Sequence, residues 1–201
     1  MSRRSGQRFD AEHGVTTEAL LFLGELDPQA IGDALRDATH YEPVPVSEFD
    51  ALIDSAQVHY ESFTFVDAGA GMGRAVLLAS KRQFKQVVGV EVSPALAAIA
   101  RENVARWVHT YEESVRCRDI RIVCADATRY RYPRGNLLIF LYNPFGASSI
   151  RALGRALRGH EGVVVLCYHT AVHSEALCEE CPDLRPVDRG PFGSIFVMGK
   201  S

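Results

Sequence analysis

The sequence predicts an α/β protein built on a mostly parallel sheet of about seven strands with helices on both faces. Three observations lead there. From residue 63 onward, short apolar runs rich in β-branched and aromatic residues alternate with stretches of helical period. The first run ends in glycines, at Asp67-Ala-Gly-Ala-Gly-Met-Gly73, and a helical stretch follows at once. A chain of 201 residues, 47% hydrophobic and 23% charged, suits one compact domain whose core needs no disulfides.

Taken in order, residues 1–8 (MSRRSGQR) are polar, basic and aperiodic, and read as a disordered tail. Residues 9–201 then form a single domain, with 9–60 preceding a core of 61–201. A short helix is expected over 28–37. Tyr41-Glu-Pro-Val-Pro45 breaks it, because each proline disfavours helix in the residue before it. Ser47 is placed to cap a helix running to residue 55, with Phe49, Leu52 and Ile53 inside it. Strands are expected over 63–67, 86–92, 120–124, 137–142 and 162–168. Two more fall at 184–187 and 194–198, around Gly190-Pro-Phe-Gly193. Helices are expected over 74–83 and 148–158, and from Ser93-Pro94, where Ser takes the N-cap and Pro the first helical position. In that helix Leu96, Ile99, Ala100, Val104 and Trp107 recur at helical spacing. Short apolar runs cannot be told from buried helix by periodicity alone, so the repeated strand–helix order carries the assignment.

Composition removes several function classes. A formal net charge of −3 excludes a globally basic nucleic-acid binder, though not a local patch. The longest apolar run, 137–142, falls far short of the ~20 residues of a membrane helix. No apolar segment follows Met1, so no secretory signal is expected. Five cysteines, an odd number confined to the second half, do not make a disulfide framework. The expected setting is cytoplasmic, with no membrane partner.

The chemistry concentrates where the first strand meets its helix. Glycines there allow a sharp turn and let a ligand approach bare backbone. The following helix start offers unpaired N–H groups to an anionic group. Eighteen residues after Gly73, at the tip of the second strand, stands Glu91, placed to accept the hydroxyl hydrogens of a ribose. Glycine turn plus acid indicates a nucleoside-containing cofactor. The dinucleotide pattern G-x-G-x-x-G is not met, since the glycines fall at 69, 71 and 73 and position 74 is Arg. Asp67, two residues before the first glycine, would repel a pyrophosphate and attract an ammonium. That charge pattern fits S-adenosylmethionine better than a nicotinamide dinucleotide.

D-A-G-A-G-M-G, then G-V-E-V-S-P, then C-A-D-A-T, then L-Y-N-P-F together resemble the class I S-adenosylmethionine-dependent methyltransferase family, over about residues 60–170. Upstream, F-D-A-E-H-G-V and Y-E-P-V-P resemble a bacterial branch of that family and extend the likeness to Phe9. The resemblance implies a Rossmann-like class I methyltransferase fold whose last strand is antiparallel, and S-adenosylmethionine as methyl donor. It implies that Asp67, Ala68, Gly69, Ala70 and Gly71 line the methionine half, with Gly73 shaping the turn. Glu91 would hold the ribose hydroxyls and Val92 pack beside the adenine. Asp126 would accept from the adenine amino group, and Ala127 would offer its backbone N–H. Tyr41 and Pro43 would belong to a segment, within 9–60, that folds over the cofactor. Asn143-Pro144-Phe145 resembles the Asn-Pro-Pro-aromatic motif of methyltransferases acting on amino groups, with one proline fewer. It makes Asn143 and Pro144, beside Tyr142, the catalytic candidates, Asn143 also facing the cofactor. The implied reaction is direct displacement onto an amine of a protein or small molecule. Methylation of a nucleic-acid base and a non-catalytic S-adenosylmethionine-binding module are the alternatives. Tyr142, Tyr168 and His169 lie near strand ends on one predicted edge, where they could take a proton from the acceptor.

Plainer readings stand beside these. The glycines also suit tight helix–strand packing, Asp126 suits a turn or helix cap, and Asn143-Pro144 suits a strand-ending turn. His169, His173, Cys178 and Cys181 have metal-capable side chains within thirteen residues. On one helix, however, the cysteines would point away from His169, so no metal is assigned. Six arginines between 116 and 134, interleaved with Tyr130 and Tyr132, would suit RNA or a solvated rim. Arg151, Arg155 and Arg158 read as a solvated helix face.

Overall fold

The computed structural model describes residues 3–18, 42–142, 146–190 and 192–199. Seven strands form one sheet: β1 (Phe63–Ala68), β2 (Gln86–Glu91), β3 (Ile120–Cys124), β4 (Asn136–Tyr142), β5 (Val164–His169), β6 (Arg185–Gly190) and β7 (Gly193–Met198). Their order is β3-β2-β1-β4-β5-β7-β6, with β7 antiparallel to both its neighbours and the other pairings parallel. The described helices are α1 (Arg3–His13), α2 (Val46–Ser55), α3 (Arg74–Ser80), α4 (Pro94–Thr110), α5 (Ala147–Leu157) and α6 (Ser174–Glu180). Strand order reverses between β1 and β4, and open parallel sheets bind ligands in the crevice beyond such a switch point.

Because side chains alternate along a strand, the sheet buries two cores. On one face Phe65, Phe140 and Cys167 pack with Phe49, Leu52 and Ile53 of α2, Val76 and Leu77 of α3, and Trp107 of α4. On the other, Val66, Val88, Ile139 and Leu166 meet Ile150, Leu153 and Leu157 of α5 and Leu177 of α6. The same alternation puts Asp67, Glu91, Tyr142 and His169 on the Phe65 face, each at the C-terminal end of its strand.

Several local expectations are corrected. Residues 3–8, read from sequence as a disordered tail, lie in α1, which is anchored beyond them. Phe9 stacks on Trp107 at 5.9 Å, His13 meets its edge at 5.1 Å, and Arg8 pairs with Glu12 one turn on. Helix α2 starts from Pro45 rather than Ser47. Proline presets a φ of −62°, and its carbonyl accepts the first amide hydrogen bonds, from Glu48 and Phe49. Helix α3 ends at Ser80, short of the expected residue 83. The single helix from His169, weighed above only as a way to group the metal-capable residues, does not form: Thr170 and Ala171 take φ of 55° and 46°, and α6 begins at Ser174. Arg151, Arg155 and Arg158 do form the solvated face expected of them, each about half exposed, and from it they also reach Glu179 and Glu180 of α6 as an interhelical ladder. The helix expected over 28–37 lies outside the described residues. Among the described residues no helix is long and apolar enough to cross a membrane.

Candidate functional site

The glycine turn forms because β1 must reverse into α3 at the sheet's end with little room to do so. Gly69, Gly71 and Gly73 take φ of 93°, 52° and 90°, a region costly for any residue with a Cβ. A Cβ at Gly73 would also come within 3.3 Å of the Ala100 Cβ on α4, so the packing role read from sequence is real here. The turn is tied to β2: Gly69 and Ala70 both donate their N–H to the Val90 carbonyl, and Gly73 donates to Ala70. Gly71 donates to the Glu91 carboxylate at 2.8 Å. Those four amides are engaged internally, which leaves the first turn of α3 for an anionic group.

Glu91 is held by two bonds. One oxygen accepts from Gly71 and the other from the Ser93 N–H, also at 2.8 Å, the second tying β2 to the cap of α4. Each carboxylate oxygen has two acceptor positions, so the acid is oriented and still able to accept from hydroxyls. Burial outweighs those backbone donors and pushes its pKa above the usual carboxylate range.

Asp67 is only 4% exposed, and among the described residues no hydrogen bond or ion pair reaches its carboxylate. Burial first, and the neighbouring Glu91 second, push its pKa up to about 8. Two buried acids therefore share one face of adjacent strands, with no cation between them among the described residues. An arginine does stand next to the turn, but it is spoken for. Arg74, 3% exposed, bonds Asp10 at 3.1 Å and the Thr17 hydroxyl at 2.7 Å, and lies 4.7 Å above the Phe9 ring. Asp10 also receives the Thr17 and Glu18 amides, and Asn103 clamps Thr16 and the Met72 carbonyl. This knot pins residues 9–18 against the glycine turn. Sequence reasoning missed it, because the bonds that tie residues 10–17 to Arg74 and Asn103 span 57 to 87 residues.

The remaining candidates divide. Ala68 is buried at the end of β1, Ala70 is buried in the turn, and Val92 is partly buried just past Glu91. Asp126 builds a turn: its Oδ1 accepts from both the N–H and the hydroxyl of Thr128, while Oδ2 lies 3.8 Å from Arg129. Ala127 is buried, and its carbonyl accepts from the Tyr132 hydroxyl. Pro43 is partly buried in the segment leading to α2, and Tyr41 lies outside the described residues. So do Asn143, Pro144 and Phe145.

Tyr142 and His169 come together with ring centroids 4.5 Å apart, in register across β4 and β5. Burial, with Glu42 and Glu48 adding to it, raises the Tyr142 pKa well above its ordinary value and keeps the phenol protonated. Tyr168 does not join them. It is buried in the opposite core, because its neighbour His169 takes the site face. His169 instead finds Glu48 of α2, with Nε2 to Oε2 at 2.8 Å, a partner 121 residues away that sequence reasoning did not identify.

The metal-capable residues have other occupations. The Cys178 thiol lies at the Leu184 carbonyl and the Cys181 thiol at the Met198 sulfur, and all five cysteines are free. Among the described residues no cluster of three such side chains forms. The arginine rim is partly neutralised: Arg118, Arg121 and Arg129 pair with Glu112, Asp119 and Asp126. Tyr132 is buried, so it offers no stacking face to a base.

Residues 66–138, which span the turn, Glu91 and Asp126, match the family model of the methyltransferase domain. No curated protein matches the chain. Among solved structures, an S-adenosylmethionine-dependent methyltransferase from Clostridium acetobutylicum is similar at 10% identity and a TM-score of 0.52, covering 78% of this chain and 93% of that one. A ribosomal protein L11 methylase from Lactobacillus delbrueckii subsp. bulgaricus is similar at 18% identity and a TM-score of 0.51, covering 77% and 78%. At these identities the likeness is one of fold.

Proposed function

We propose that the chain is a class I S-adenosylmethionine-dependent methyltransferase, as the methyltransferase-domain match and the fold support, and that its acceptor is an amine of a protein or small molecule, methylated on nitrogen by direct displacement. The observation that carries the donor site is the pair of buried acids, Asp67 and Glu91, left without a cation beside a glycine turn. A ligand with an ammonium and two neighbouring hydroxyls fits that need; a pyrophosphate does not. Asp67 would face the ammonium, with Ala68, Gly69, Ala70 and Gly71 along the methionine half and Gly73 holding the turn. Glu91 would take the ribose hydroxyls, Val92 the adenine face, and Asp126 and Ala127 the adenine edge. Tyr41 and Pro43 would cover the bound donor. When bound, S-adenosylmethionine supplies a methyl group already activated by its sulfonium.

The protein's task is then alignment, which is worth ~7–11 kcal/mol in favourable systems. Asn143 and Pro144 would hold the acceptor amine through carbonyl oxygens, beside the protonated Tyr142. The partly neutralised arginine rim and the buried Tyr132 favour this acceptor over a nucleic-acid base. A thermal-shift comparison tests the donor. S-adenosylhomocysteine at ~100 times its dissociation constant should add ~2.7 kcal/mol, raising the midpoint by roughly 5–10 °C. NAD should add nothing. A shift with NAD and none with S-adenosylhomocysteine rejects the reading.

A further inference from the structure

Beyond the donor site the same sheet face carries a second feature. A cleft of about 330 Å³ opens at the C-terminal end of β5, lined by Glu48, His169, Thr170, Arg189, Phe192 and Ser194 among others. Its size is that of a small-molecule site. His169 is 7% exposed, its Nε2 is bound to Glu48, and its Nδ1 is buried with no hydrogen-bond partner. A buried polar atom without a partner is rare in folded proteins and calls for an explanation. Arg189, exposed on the cleft, pairs with no acidic group among the described residues. The location matters as well. His169 lies two strands from Asp67 across β4, roughly 10 Å away at ordinary strand spacing, and two register positions further toward the crevice. That is within the span between the ammonium and the far side of a methyl donor seated along the crevice.

We infer that the Glu48–His169 pair is the proton acceptor of the transfer, and that the cleft it lines takes a small amine carrying an anionic group, which Arg189 meets. The inference rests on the proposed function and deepens it. Glu48 fixes the imidazole with Nε2–H donated to the carboxylate, which leaves the lone pair on Nδ1. An amine arriving as ammonium gives its N–H proton to Nδ1. The freed pair on nitrogen takes up the methyl carbon as that carbon's bond to the sulfonium breaks, and the bond's electrons return to sulfur. The imidazolium formed is balanced by Glu48. The other charged or titratable groups around this end are Tyr142, Glu42, Arg189 and, through its charge on Tyr142, Arg74, on β4, before α2, on β6 and on α3. Tyr142 stays protonated, so it lines the site without competing for the proton.

Tautomer-sensitive ¹⁵N NMR of the His169 ring in the full-length chain reads the arrangement directly. In the neutral ring Nε2 should carry the proton and Nδ1 none, and Glu48→Leu should abolish that preference. A ring protonated on Nδ1 in the unsubstituted protein overturns the inference. Inorganic phosphate is the probe for the cleft. It should move the Gly193 and Ser194 amide signals, and Arg189→Ala should remove the effect; an unchanged response in that variant refutes the anionic acceptor. With labelled donor and the small-molecule fraction of a cell extract, His169→Gln should lower label transfer ~10²-fold or more. Its affinity for S-adenosylhomocysteine should stay within about twofold of the original. If the unsubstituted protein binds no S-adenosylhomocysteine, the donor reading has failed; if it binds and only the tautomer or phosphate result is wrong, this inference alone has failed.

Discussion

Asp67 is where sequence and energetics meet most sharply. Its carboxyl ionises near pH 3.8 in an unfolded chain and near 8 in the folded one. Between those values the unfolded chain has lost a proton that the folded chain keeps, so stability from this group falls as pH rises. Below about pH 4 both states are protonated and the penalty is absent; above about pH 8 it is complete. Each pH unit inside the window costs up to ~1.4 kcal/mol. Asp67→Asn should therefore flatten the decline of the urea midpoint between pH 5 and 8 and leave the ligand-free variant more stable than the parent at pH 8. A parallel decline in both proteins would show that Asp67 is not the group responsible. The juxtaposition of Asp67 and Glu91 was legible because it is local: a carboxylate, a glycine turn and a second carboxylate at the next strand tip. The Glu48–His169 pair was not, since nothing in either segment names the other. Period-two alternation does put His169 on the same face as Asp67, and Tyr168 on the opposite one. That signal was present in the strand pattern and went unused.

At the scale of elements, strands and helices were readable wherever a run of apolar residues was bounded by glycine, proline or a capping serine. The strong start at Ser93-Pro94 is the clearest case, with the Ser93 hydroxyl accepting from Leu96. Competing caps were not readable. Ser47 has the better side chain for a cap, yet Pro45 takes the position because its ring already sets the required backbone angle. Nor did the spacing of Arg151, Arg155 and Arg158 disclose a partner helix, because a basic face looks the same opposite water or opposite glutamates. Gly154 explains how α5 and α6 approach closely enough for that ladder. A Cβ there would stand 3.0 Å from both the Glu180 Cβ and the Leu177 carbonyl. Gly154→Ala should push the helices apart and cost ~1–3 kcal/mol, typical of overpacking, in a denaturant titration. A stability equal to or above the parent's would mean that the seam is looser than its geometry indicates.

For the molecule as a whole, the sheet order and the antiparallel last strand follow the resemblance carried by the motifs, which local pattern alone would not have supplied. The knot around Arg74 shows what neither source foresaw. Residues 9–18 are drawn to the glycine turn by a buried cation shared with Asp10 and Thr17, so the arginine that adjoins the proposed donor site is withheld from it. Under the proposed function, Asp67 thus depends on the bound donor for a positive partner. Near neutral pH it holds a proton that an incoming ammonium should expel. Calorimetric titration of S-adenosylhomocysteine at pH 7, repeated in buffers of different ionisation enthalpy, counts that proton. Release of roughly one proton per ligand bound, lost in Asp67→Asn, is the expected result. Binding without proton release, or with the same release in the variant, would contradict the role assigned to Asp67.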